Sequence, residues 1–162
     1  IDYYNNGTIT ANNIQLKIAL KAECIKMLEE RIKNASEAML SAQESANSEG
    51  KSSAGDKYET SRAMGQQDRD MNARQLEQAR KDLSYIQSLD VEKPKSTIAP
   101  GTLVICKEGT YFLSAGLGSV KINSQQIHLV SPAAPLANLL LGKTAGDKIS
   151  LNGRVIEILE II

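Results

Sequence analysis

Side-chain chemistry concentrates first at Gly55-Asp56-Lys57-Tyr58-Glu59, where two carboxylates stand three residues apart at the head of a stretch without proline. Read from the residues alone, Asp-x-x-Glu at a helix start is a capping arrangement. The Asp oxygen accepts a hydrogen bond from a free backbone N–H of the first turn, and the Glu at N3 reaches back to the cap. The acidic neighbours Glu44 and Glu49 read as solvated. Arg62, Arg69, Arg74, Arg80 and Lys81 recur downstream and read as a solvated helix face with i,i+4 pairing, such as Glu77 with Lys81. Arg62 is set apart because it lies one turn beyond the carboxylates. The softer donors are few. With two cysteines, Cys24 and Cys106, and one histidine, His128, these residues cannot supply a zinc ligand set. The cysteines read as free thiols of a cytosolic protein, Cys106 as packing in a strand, and His128 as a satisfied or edge histidine.

The elements that must carry these groups are legible from periodicity. From Ile14 to Ala46 there is neither Pro nor Gly, and Ile18, Ile25, Ile32, Met39 and Ala46 recur every seven residues. Leu28, Ala35 and Ala42 form a second series offset by three, which completes an a/d heptad pattern. Lys17, Lys21, Glu23 and their neighbours between the stripes read as mostly solvated. Ser45 to Gly55, rich in Ser, Asn and Gly, reads as a break, and a second helix runs from about Asp56 to Leu89 with Leu76, Ala79, Leu83 and Ile86 at helical spacing. Two long helices joined by a short break pair antiparallel, here with Ile25, Ile32, Leu76 and Leu83 in the seam and a weakly packed tip.

After Lys93-Pro94-Lys95-Ser96 the period becomes strand-like. Thr102–Lys107 and Thr110–Ala115 flank Glu108-Gly109, Ser119–Ile122 and Gln126–Val130 flank Asn123-Ser124, and Lys148–Leu151 and Arg154–Ile161 flank Asn152-Gly153. Pro135 at a first helical position and Gly142 just past the end bound one short helix. The expected fold class is α+β: an N-terminal antiparallel coiled-coil hairpin, then a small antiparallel sheet domain with one short helix. The expected divisions are a flexible tail over 1–13, the hairpin over 14–90 with its tip near 47–60, a linker over 91–98 and the sheet domain over 99–162.

Composition narrows the function. The 162 residues carry 19 basic and 19 acidic side chains, so no global field draws the chain to free DNA or an anionic membrane. No apolar run reaches the roughly 20 residues that span a bilayer, and the opening segment does not read as a signal peptide. The expected location is the cytoplasm. Aromatic residues are 4% of the chain, which suits a thin helical seam filled by Leu, Ile, Met and Ala.

The closing run Pro135-Leu136, Leu140-Leu141-Gly142-Lys143 and Gly146-Asp147 resembles, in order and spacing, the C-terminal signature of the Gre-type (GreA/GreB-like) transcript-cleavage factors of bacterial RNA polymerase. Gly55-Asp56-x-x-Glu59 is similar to that family's coiled-coil tip, and the two-part layout is similar over 14–162. The resemblance implies that the sheet domain is FKBP-like and that the partner is RNA polymerase. It further implies that the hairpin enters the secondary channel, meeting the RNA 3′ end only within that complex. Asp56 and Glu59 are then the catalytic tip acids. They hold a Mg2+ shared with the polymerase, with no metal or other cofactor bound by the isolated chain. One or two carboxylates suffice, because Mg2+ prefers oxygen ligands and keeps several waters. Arg62, Pro135 and Leu136 are the implied partner-binding residues. The chain is then an accessory factor rather than an enzyme, stimulating the polymerase's own nucleolytic activity. After Glu59 the sequence departs from the family pattern, with Thr60-Ser61-Arg62-Ala63 in place of Asn-Ala, an acid and Tyr. The alternative functions are a non-cleaving polymerase-channel binder of the same fold and, further off, a coiled-coil adaptor unrelated to transcription.

Overall fold

The computed structural model describes residues 3–49 and 55–162. Two long helices, α1 (Tyr3–Glu49) and α2 (Gly55–Ser88), precede strands β1 (Leu103–Cys106), β2 (Thr110–Leu113), β3 (Gly118–Ile122) and β4 (Gln125–Val130), the short helix α3 (Pro135–Leu140), and strands β5 (Lys148–Leu151) and β6 (Arg154–Ile161). The fold is α+β, with an N-terminal helical hairpin followed by a sheet that carries one short helix. The chain divides into two compact units. One is the hairpin shaft, Lys26–Tyr85; the other joins Ile1–Ile25 to Ile86–Ile162.

In the shaft, Arg31 and Asn34 share a groove with Gln78 and Asp82, and Met39 and Gln43 share one with Arg69. Rising numbers on α1 therefore meet falling numbers on α2, and the helices run antiparallel. Leu28, Ala35, Leu76 and Ala79 are buried, while Ile32, Met39 and Leu83 are only half-buried. The Leu28–Ala35 stripe is closed off, whereas the Ile32–Met39 stripe is only partly covered. Among the described residues no shaft position beyond Ala35 on α1 or before Leu76 on α2 is buried, and Leu40, Met64 and Met71 stand exposed. Helix α1 extends back to Tyr3, where the sequence pattern begins it at Ile14 and assigns 1–13 to a flexible tail. The segment contains one glycine and no proline, so nothing in it forces the helix to stop.

In the other unit Leu20, Cys24 and Ile86 are wholly buried. Lys17 has no solvent exposure, against the expectation of a solvated face, and its Nζ donates to the Lys93 carbonyl at 3.2 Å. Lys21, one turn on, donates to the carbonyls of Gln87 (3.1 Å) and Leu89 (2.8 Å). Helix α2 has no basic residue in its own last turn, so Lys21 supplies from α1 the cation that its carbonyl end favours. The 89–98 segment has no helix or strand but is held at both ends. Leu89 and Val91 are buried near the start, and Ile98 exchanges backbone hydrogen bonds with Gly142 (2.8 Å) and Lys143 (2.9 Å).

Burial lowers the Lys17 ammonium to about 8, with the Lys95 charge acting the same way and Asp90 opposing. Below pH 8 native and unfolded chains both keep the proton, and the cost of burying the charge is fully present. Between about 8 and 10.5 the native state sheds a proton that the unfolded chain retains, so stability rises with pH across that window, by up to about 3 kcal/mol. Thermal melts should show wild type gaining stability from pH 8 to 10 relative to Lys17→Met, which has no group to titrate there. Parallel pH profiles for the two proteins would refute the assignment.

The sheet order is β3-β4-β2-β1-β6-β5. All neighbours are antiparallel except β2 and β4, which pair in parallel with Tyr111 opposite His128 and Phe112 opposite Leu129. The expected antiparallel sheet is thus mixed. Turn residues Asn123 and Ser124, both with positive φ, close a tight hairpin that leaves either β3 or β4 free to lie beside β2. Strand β4 takes the inner place because Ile127, Leu129 and Val130 can be buried there, whereas β3 has no buried residue. Helix α3 contributes Ala137 and Leu140 to a core with Val104, Cys106, Leu113, Val130, Ile149 and Ile158.

Candidate functional site

The sequence places its chemistry at the head of α2. The helix opens at Gly55, so position 56 falls inside the first turn, with 59 about one turn further on beside it and 62 about one turn beyond 59. Asp56 is therefore not the N-cap that the capping reading expects. An acid in the first turn is still favoured by the helix dipole. Glu59 and Arg62 are exposed, and among the described residues neither has a hydrogen bond or ion pair. The Asp56 side chain and residues 50–54 of the expected tip lie outside the described residues. Among those described, no group of three or more His, Cys, Asp or Glu is arranged to hold a metal ion. The expected solvated pair Glu77–Lys81 is present at 3.2 Å.

The C-terminal motif proves to be largely architectural. Pro135 occupies the first turn of α3 and is exposed, while Leu136 is half-buried against the sheet core. Leu140 is wholly buried. Gly142 ends the helix with φ 81°, freeing its N–H to reach Ile98. Gly146, at φ 92°, donates to the Ile158 carbonyl at 2.7 Å, and Ile158 N–H returns a bond to Asp147 at 2.9 Å. The Asp147 carboxylate accepts from both the backbone N–H (2.8 Å) and the hydroxyl (3.2 Å) of Thr144. Gly146-Asp147 thus folds the entry to β5, and of the motif's side chains Pro135 and Lys143 stand exposed. Asp147→Ala should lower stability by about 1 kcal/mol, because the Thr144 N–H loses its charged acceptor. That corresponds to roughly 2–4 °C in a thermal melt for a chain of this size, and an unchanged midpoint would count against this role.

Both cysteines are free and buried. Burial raises the Cys24 thiol, and raises Cys106 to about 11 with help from the Glu108 charge, so neither is a ready thiolate. Cys24 lies 3.9 Å from the Ser114 hydroxyl, which donates to the Phe112 carbonyl at 3.3 Å. Sequence reasoning missed the Lys17–Lys21 clamp. Its signal is present, since Lys17, Leu20, Cys24 and Leu28 follow helical 3-4-4 spacing beside the heptad stripe. His128 is exposed on an inner strand, stacked on Tyr111 with ring centroids 5.4 Å apart. Among the described residues no helix is long and apolar enough to cross a membrane.

No known family model matches the chain, and no curated protein matches it. Among solved structures, one titled "Structure of the transcription factor Gfh1" is similar over 87% of this chain and 92% of the other, at 18% identity and a TM-score of 0.33.

Proposed function

We propose that this chain is a Gre-type factor that binds RNA polymerase through its secondary channel and stimulates cleavage of backtracked RNA. The observation that carries the reading is the placement of Gly55-Asp56-x-x-Glu59 at the turn end of an antiparallel helical hairpin, with Glu59 exposed and unpaired among the described residues. The order of the C-terminal motif and its position around α3 support it.

The donor set fits a hard cation that a partner also holds. Carboxylates at 56 and 59 offer oxygens, and two such groups leave most of an octahedral shell to water and to the polymerase. When bound, such a metal stabilises charge on the attacking and leaving oxygens of phosphoryl hydrolysis. This chain's part is to carry two negative charges to that point, with Arg62 a turn behind and available to a phosphate or carboxylate. The reaction itself remains the polymerase's. Pro135 and Leu136 give the sheet domain a contact on the same partner, which strengthens binding. A chain with zero formal net charge has little counterion-release drive toward free DNA or RNA.

A second reading, a channel binder that does not cleave, is favoured by one observation. Arg62 and its neighbours replace the polar and acidic residues of the family tip after Glu59, so a cation stands where more negative charge is expected. Adding the protein to a stalled, backtracked polymerase complex decides between the two. Shortened RNA supports the cleavage factor. Binding with unchanged RNA supports the non-cleaving binder, and tight binding to bare nucleic acid without polymerase binding sinks both.

A further inference from the structure

We propose that Glu108, Gly109, Tyr111 and His128 form a docking platform for an arginine side chain of a partner protein. Tyr111 and His128 sit opposite each other on the parallel pair β2–β4, and their rings stack at 29° between planes. Tyr111 is half-buried against the sheet core, which fixes its ring, and His128 is exposed, so one surface of the ring pair is firm and accessible.

Gly109 keeps that surface bare. A Cβ built there would lie 3.5 Å from the Tyr111 hydroxyl, 3.7 Å from its Cζ and 3.8 Å from His128 Cδ2, all ordinary contact distances. Its φ is outside the left-handed region, so the backbone does not require glycine. A larger residue could cover the rings without strain, and the sequence leaves them open.

Glu108 supplies the charge. It is exposed and, among the described residues, has no ion pair. Its carboxylate acts on the ring site: Tyr111 is raised by burial first, then by Cys106 and by Glu108. The Cys106 thiol, held at about 11, keeps its proton at neutral pH and adds no anion. A stacked ring pair with the His128 ring exposed, near an unpaired carboxylate, complements a guanidinium, which stacks on an open aromatic face and forms paired hydrogen bonds to a carboxylate. A stacked nucleobase would bring its phosphate toward Glu108, which disfavours nucleic acid as the occupant.

The inference does not depend on polymerase, and its test uses the full chain alone. Heteronuclear NMR should follow the Tyr111 and His128 ring resonances during titration with acetyl-Gly-Arg-Gly-amide, with the citrulline peptide as the uncharged isostere and adenosine monophosphate as the nucleotide probe. The expected result is a saturable shift confined to these rings and the Glu108 amide, with the arginine peptide at least about threefold tighter than citrulline. Glu108→Gln should remove that preference, and Gly109→Leu should abolish the shift while distant amides keep their positions. Equal response to arginine and citrulline on the wild-type chain would overturn the proposal. So would tighter binding of the nucleotide at the same rings, or no shift at millimolar peptide.

Discussion

Changing Asp56 to Asn and Glu59 to Gln together should abolish stimulated RNA cleavage, with a loss of at least about 100-fold from removing both charges at a metal-assisted step. Each amide is nearly isosteric with its acid but brings no negative charge to the cation. Affinity for polymerase should change little, because in the proposed complex the hairpin and the Pro135 surface supply most of the contact. Helix stability should fall by no more than about 1 kcal/mol, the worth of one or two acids near a helix N-terminus. The three readouts separate the readings of this site. A purely helix-stabilising role for these first-turn acids predicts that the amides cost only this small loss of stability and leave cleavage unchanged. A metal-presenting role predicts full folding, full binding and no cleavage. Wild-type cleavage in the double variant would refute the metal-presenting role of these two carboxylates. The isolated protein should show no firm Mg2+ site by titration, because two carboxylates leave an octahedral shell incomplete.

Leu28→Asp should cost about 3–5 kcal/mol, because it places a carboxylate without a partner at a wholly buried position in the seam. Ile32→Asp, one turn on, should cost clearly less, since Ile32 is half-buried and its carboxylate can turn toward water. Circular dichroism should show the helical signal melting at lower temperature in the order wild type, Ile32→Asp, Leu28→Asp. Hydrogen exchange on β1, β2 and β6 should stay slow in both variants, because the core around Val104, Leu113, Leu140 and Ile158 does not include either residue. Equal destabilisation by the two substitutions would mean that the heptad stripes bury alike, contrary to the structure.

Features governed by near neighbours along the chain are legible in the sequence by itself. The Asn152-Gly153 hairpin is one: both residues adopt the positive φ that a two-residue turn demands, and few other pairs accept it. The limits of α3 are another, set by Pro135 at its start and Gly142 at its end. The paired apolar stripes of α1 and α2 specify a helical hairpin, because periodic burial has a single economical solution for two helices and a short break. The residue types and spacing at 56 and 59 are also plain, although spacing alone favours capping over metal chemistry.

Choices among partners of similar local quality are decided only in three dimensions. Strands β3 and β4 are both legible, but which lies beside β2 depends on which can be buried against that neighbour, and this makes the sheet mixed. Both heptad stripes are legible, yet among the described residues only Leu28 and Ala35 of them are buried, and Ile32 and Met39 are half-buried. The clearest case is Lys17. Its charge predicts water, and it is buried because Leu20 and Cys24 on the same face are drawn inward and the Lys93 carbonyl is there to meet its Nζ. Sequence periodicity records which residues can share a face; whether that face meets water, a helix or a carbonyl depends on chain segments far away in sequence, and only the packed structure brings them together.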